Sequence, residues 1–434
     1  MSFYTENIAP DSFSGALFAV EGVRDGCTIL NGPTGCKFYH SAISDSQFMR
    51  HATYSPLEYS EGFFGQPRIP ATYLDGHDYV FGSGEKLSSI LRMAAGKKYA
   101  LIAVVNSPGA ALIGDDLDRL IAGERRGGVP CFALENSGFS GSFGSGYEKA
   151  MLKILDVLEL EKSPRKNKPA VNVLGLSIYQ KYFGSNYKTI KALLERCGIE
   201  TISAPGAGDP VEVMKNIPSA ALNVVVYPEY GTETAEYLKE RFALPYIIPA
   251  EGPPIGFYST ESFIKEICGY FGVSSGQADT ALEAARAGAY LHLSRFSSLL
   301  GMPRGCLFSV KADSSAAYAL TRWLCTYLGM IPAAVSVLPG GDGVFTKKLS
   351  GFLDSVNHGE ALTNSILETP AQILLADGNT ISAARLYGQK FCGIEIALPS
   401  LGYVDVTEKT LFGAEGGLFL LEQIVNGLRY VMRT

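Results

Sequence analysis

The sequence lacks the short motifs that hold the commoner cofactors. No Cys-x-x-Cys pair occurs, which excludes a zinc ribbon or a cluster held by one local motif. No GxxxxGKS/T phosphate loop occurs either, so the chain carries no P-loop ATPase of its own. The histidines, His40, His51, His77, His292 and His358, show no HExxH or other ligand spacing and read as surface or hydrogen-bonded structure. Gly206-Ala207-Gly208 is followed by Asp209-Pro210 and misses the third glycine of a dinucleotide fingerprint. No dense Lys/Arg stripe appears and the net charge is −6, which argues against nucleic acid or an anionic membrane as partner. No uninterrupted apolar run approaches membrane-spanning length, and MSFYTENIAP has neither a basic nor an apolar leader region. The expectation is a soluble cytoplasmic protein.

What is present is a long chain with ample core material. At 434 residues it suggests about three units, and a chain of that size buries about 75% of its unfolded surface. Charged residues make up only 18%, so part of the surface is expected to be covered by a partner or a second copy. The cysteines are scattered, unlike a secreted disulfide scaffold. Cys131 in VPCFAL and Cys325 in TRWLCTYL read as core.

From Tyr79 onward, short apolar runs alternate with amphipathic helices. DYVFGS is expected as a strand, then GEKLSSILRMAAG as a helix, YALIAVVNS as a strand, IGDDLDRLIAGERRGG as a helix, VPCFALENS as a strand and YEKAMLKILDVLEL as a helix. Asp115-Asp116 is expected to cap its helix rather than to form a catalytic pair. Continuous apolar strands in strict turn with helices mean a parallel sheet covered on both faces. The Pro- and Lys-rich stretch EKSPRKNKPA is the best linker, and the pattern restarts after it and again at CLFSVKAD. The expected architecture is α/β, with three doubly wound parallel-sheet, Rossmann-like domains: an N-terminal one over 1–165, a middle one over 166–300 and a C-terminal one over 301–434 with a closing helix. Ligands in such folds sit beyond the carboxyl ends of strands. There the sequence has Ser107-Pro108-Gly109, Asn136-Ser137-Gly138 and Pro228-Glu229-Tyr230. The glycine-rich run 138–149 reads either as an anion cradle or as a close backbone crossing.

One stretch stands out for chemistry. Asn31-Gly32-Pro33-Thr34-Gly35 ends on Cys36, with glycines that permit close approach and a proline that stiffens the turn. A cysteine displayed on a loop is a ligand or nucleophile candidate, and otherwise a small buried hydrophobe. Cys27, nine residues earlier, is either a strand end or a second ligand.

Several pieces, in order, resemble the nitrogenase component 1 family of oxidoreductases: GALFAVEGV, NGPTGCKFYH, DYVFGSGEKL, IGDDLDRLI, SGFSGSFGSGYEKA, GPPIGFYSTESFI and GAEGGLFLLEQIVNGL. The resemblance is to β-type subunits, including the N-type subunit of the cofactor-assembly scaffold and the β subunit of the molybdenum–iron protein. Tyr227 occupies the place where an α-type subunit has its cofactor cysteine. Of the three cysteines of a full β-type subunit, only Cys36 is matched; Asp11 and Pro108 fall near the other two places, and Ser142 where the family can have a serine beside its cluster. The resemblance implies a [4Fe–4S] cluster shared between subunits, because iron–sulfur clusters take several thiolates and this chain offers too few. It implies either an α-type partner supplying three cysteines or a second copy, each giving Cys27 and Cys36 about a two-fold axis. It also implies a separate ATP-dependent iron–sulfur reductase that delivers electrons. The alternative is a nitrogenase-fold scaffold, or a small-molecule- or metallocofactor-binding protein, without a catalytic cluster.

Overall fold

The computed structural model describes residues 9–47, 69–124, 128–135, 141–166, 168–402 and 404–431. Among them are three all-parallel sheets, each with its own helices. The first holds β1 (Gly26–Asn31), β2 (Leu101–Asn106) and β3 (Cys131–Leu134), side by side in that order. The second holds β4 (Ala170–Leu174), β5 (Glu200–Ser203), β6 (Leu222–Val225) and β7 (Tyr246–Ile247), in the order β5-β4-β6-β7. The third holds β8 (Leu307–Ala312), β9 (Ile331–Val337), β10 (Ile373–Asp377) and β11 (Cys392–Ala397), in the order β11-β10-β8-β9. Strand order reverses between β4 and β6 and between β8 and β10. These are the points where a doubly wound sheet opens a crevice at its carboxyl edge.

The strands are buried runs such as LIAVVN and AVNVL, as a sheet covered on both faces requires. Within the N-terminal unit an unusually close helix pair forms, Ser12–Glu21 against Phe143–Val157. A Cβ on Gly15 would lie 1.9 Å from the Phe143 carbonyl oxygen, and one on Gly146 1.9 Å from that of Ser12. Only glycine permits this approach. The Gly206–Gly208 turn serves packing as well. Gly208 N–H donates to the Gly22 carbonyl at 2.9 Å, and Asp209 accepts from Ser203 Oγ and Ala204 N–H. The C-terminal helix Gly413–Val431 packs back on the helices Gly256–Phe271 and Gly276–Leu300.

Two local expectations are corrected. DYVFGS is not a strand: Asp78–Phe81 is a short helix. Asp75 accepts from the backbone N–H groups of His77 and Asp78, which turns the chain before an extended run can start, and Gly82 at φ +97° ends the helix. Cys36 is not on a loop but in the first turn of the helix Thr34–Gln47. Asp116 caps the helix Leu117–Glu124 through Arg119 N–H at 2.9 Å, as expected, while Asp115 holds Ser83. Asn136-Ser137-Gly138 and the start of the glycine-rich run lie outside the described residues.

Candidate functional site

Two regions of the molecule carry chemistry: the neighbourhood of Cys36 and a large cavity between the three sheets. Around Cys36 the chain gathers residues from distant segments. Asp11 caps the helix Ser12–Glu21 by accepting from Ser14 N–H at 3.0 Å, and Ser14 Oγ lies 3.0 Å from His40 Nε2. His40 Nδ1 in turn sits 2.6 Å from the Cys36 carbonyl. Asp11 also forms an antiparallel bridge with Ser142, which caps the helix Phe143–Val157 through Ser145 N–H. Burial, with the nearby Asp11 charge, pushes the Cys36 thiol up, and burial lowers His40, leaving a neutral imidazole. On the other side, the Tyr79 hydroxyl lies against Gly109, next to Pro108 at the start of a short helix. Asp11, Cys36, Pro108 and Ser142 thus frame one region.

Cys27 is elsewhere. It sits within β1, 1% exposed, packed among Ile29, Leu87 and Leu91. It is a core residue of the first sheet and does not share the Cys36 surface, so a two-fold site built from Cys27 and Cys36 of each copy does not fit. Among the described residues no three His, Cys, Asp or Glu side chains converge as metal ligands. The residues around Cys36 therefore fit a cluster only as one thiolate of a shared set. The elements framing Cys36 expose Phe38, Tyr39, Tyr79, Val80, Phe81 and Leu112, with Phe81 and Leu112 75% and 77% exposed. An apolar face of that kind is what an interface presents to a partner.

The cavity has a volume of about 1700 Å³ and is lined from all three units. The residues just past β4 and β6 meet those just past β8 and β10, so the two reversal points face each other across it. Tyr179, Tyr227, Glu229 and Tyr230 come from the middle unit; Lys311, Asp313 and Asp377 come from the C-terminal one. Glu229 accepts from Ser314 Oγ at 2.5 Å, Ser315 N–H at 2.7 Å and Ser315 Oγ at 2.9 Å, and Tyr230 donates to Asp313. Burial and the charge of Glu229 push Asp313 up. The loop after β6 was legible as a ligand-facing segment; Tyr179, Asp313 and Asp377 were not, because nothing local marks a residue as facing another domain.

The three-sheet architecture agrees with what comparison with known proteins finds. Residues 12–429 match the family model for nitrogenase component 1 type oxidoreductases. The chain belongs to that family. This nitrogenase component 1 type chain is 25% identical over 269 residues to one subunit of the light-independent protochlorophyllide reductase of Zygnema circumcarinatum, covering 58% of this chain and 48% of that one. The corresponding protein of Chlorobium limicola is 30% identical over 53% of this chain and 41% of its own. The nitrogenase iron-molybdenum cofactor biosynthesis protein NifE of Clostridium pasteurianum is 24% identical over 57% of this chain and 50% of its own. The chain spans about half the length of the curated relatives it matches. The solved structure of nitrogenase Cp1 at pH 6.5 superposes with a TM-score of 0.76 at 18% identity, covering 96% of this chain and 92% of that one. No helix among the described residues is long and apolar enough to cross a membrane.

Proposed function

We propose that this chain is one subunit of a nitrogenase-like oxidoreductase and supplies Cys36 as a single thiolate to a [4Fe–4S] cluster shared with a partner subunit. The observation that carries the reading is the position of Cys36: half-buried, framed by Asp11, Pro108 and Ser142, and set in an exposed apolar face. Ligand count then requires a second chain. With Cys27 in the core, an α-type partner bringing three cysteines suits the site better than a second copy. Such a cluster, when bound, would supply one-electron transfer. This chain's residues would orient the thiolate and keep water from it, with Asp11 and Ser142 fixing the helix starts beside it. Electrons would come from a separate ATP-dependent iron–sulfur reductase, in keeping with the missing phosphate loop in this sequence. The test is anaerobic purification of this chain with its α-type partner, followed by iron analysis and EPR. Iron and the signal are expected in the complex and lost in Cys36→Ala; an iron-free complex, or one unchanged by the substitution, refutes the reading.

Asp11 and Pro108 in place of two cysteines favour a second reading, a scaffold of the same fold without a cluster. Under it, the oxygen-free complex is colourless.

A further inference from the structure

The first turn of the helix Thr34–Gln47, which carries Cys36, is weakly closed by its own backbone. The bond from Lys37 N–H to the Pro33 carbonyl is 3.5 Å long, at the limit for a hydrogen bond. Beside Cys36, a Cβ on Gly35 would meet nothing within 4 Å. A helix start of this kind frays unless side chains hold it. The helix Ser12–Glu21 is the opposite case, because Gly15 and Gly146 let it close on Phe143–Val157 at backbone contact. A loose element bearing a thiol therefore stands beside a rigid one.

His40 joins the two. Its ring Nδ1 lies 2.6 Å from the Cys36 carbonyl, one turn earlier in its own helix, and its Nε2 lies 3.0 Å from Ser14 Oγ in the helix Ser12–Glu21. A carbonyl only accepts, so Nδ1 carries a hydrogen and donates it. Ser14 Oγ is also 3.0 Å from Asp11 Oδ1, which makes one connected chain from Asp11 through Ser14 and His40 to Cys36. Packing grips the ring as well. Its centroid is 5.0 Å from that of Phe13, edge-on, and 5.9 Å from that of Phe18, and both phenylalanines are buried. A histidine with both ring nitrogens engaged across two elements has one orientation and holds both elements to it.

We propose that His40 is a positioning residue for Cys36. It locks the thiol-bearing turn onto the helix Ser12–Glu21, and so fixes the Cys36 side chain relative to Asp11 beside the exposed apolar face. The use made of the thiol rests on the cluster reading above; the lock itself does not.

In the metal-free chain, labelling of Cys36 by iodoacetamide is followed peptide by peptide in mass spectrometry. His40→Phe keeps a ring between Phe13 and Phe18 and removes both hydrogen bonds. Labelling is expected to quicken roughly threefold to tenfold, the equilibrium worth of a neutral hydrogen bond. His40→Asn returns a donor to the Cys36 carbonyl and is expected to recover part of the protection. Ser14→Ala leaves the imidazole in place and is expected to quicken labelling by a smaller factor; it decides the matter where His40→Phe does not fold. Half-buried Cys325 is the internal reference, and His292→Phe, on an exposed helix face, is expected to leave Cys36 labelling unchanged. In the complex with an α-type partner, His40→Phe is expected to keep the iron while the EPR g-values shift, since orientation and hydrogen bonding around a thiolate tune a cluster. Cys36 labelling equal in the unmodified, His40→Phe and Ser14→Ala chains, a quickening that Cys325 shares, or unchanged g-values in iron-loaded His40→Phe overturns the proposal. An iron-free unmodified complex defeats the cluster reading instead, and the labelling rates then decide the role of His40.

Discussion

At the scale of single residues, burial sets the chemistry more than neighbouring charge does. Glu148, in the helix Phe143–Val157, accepts from Glu233 N–H at 2.9 Å and Thr234 N–H at 3.0 Å, tying the N-terminal unit to the helix Pro228–Phe242. Burial nevertheless outweighs these donors and lifts its carboxyl from 4.5 to about 7. The folded chain therefore keeps a proton that the unfolded chain releases above about pH 4.5. Its contribution to stability is full below that pH and is lost as pH rises through 7. Melting temperatures measured from pH 5 to pH 8 are expected to fall for the unmodified chain and to fall less for Glu148→Gln. Equal slopes refute the assignment.

Among the elements, the pair Ser12–Glu21 and Phe143–Val157 holds the two ends of the first unit together. Their glycines stand where any side chain would enter the opposite backbone. Gly146→Ala is expected to cost at least about 1–3 kcal/mol, the usual range for overpacking, in chemical unfolding. Gly288→Ala, in the exposed helix Gly276–Leu300 with open space around it, is expected to gain up to about 1 kcal/mol from helix propensity. A matched response from the two substitutions sinks the close-packing account. The short helix Asp78–Phe81 makes the complementary point. Its apolar letters read as a strand, yet they face solvent, because the Asp75 turn precedes them and the Cys36 surface lies beside them.

Across the whole molecule, the middle and C-terminal units are joined, among the described residues, by the buried ion pair of Lys181 with Glu395, the exposed pair of Lys188 with Glu408 and the partly buried pair of Arg322 with Glu251. Lys181 lies 3.0 Å from Glu395 and 3.2 Å from Asp405, with the Lys181 and Glu395 side chains 3% and 1% exposed. Lys181→Ala leaves Glu395 buried without its cation and is expected to cost about 3–5 kcal/mol. Lys188→Ala, which breaks the exposed pair with Glu408, is expected to cost less than about 1 kcal/mol. Urea unfolding of both variants checks the contrast, and equal losses contradict it. The sequence by itself determined the parallel-sheet α/β fold, because apolar strands and amphipathic helices in strict turn are local patterns, and it showed the family through its ordered motifs. It also singled out Cys36, whose meaning rested on ordered motifs rather than on contacts. Only the tertiary structure decided that Cys27 is core, that Asp11 and Ser142 pair beside Cys36, and that Tyr179, Tyr227 and Asp313 face one cavity. Each of these depends on which segments meet across domains, and a side chain's partner at long sequence separation leaves no trace in its own neighbourhood.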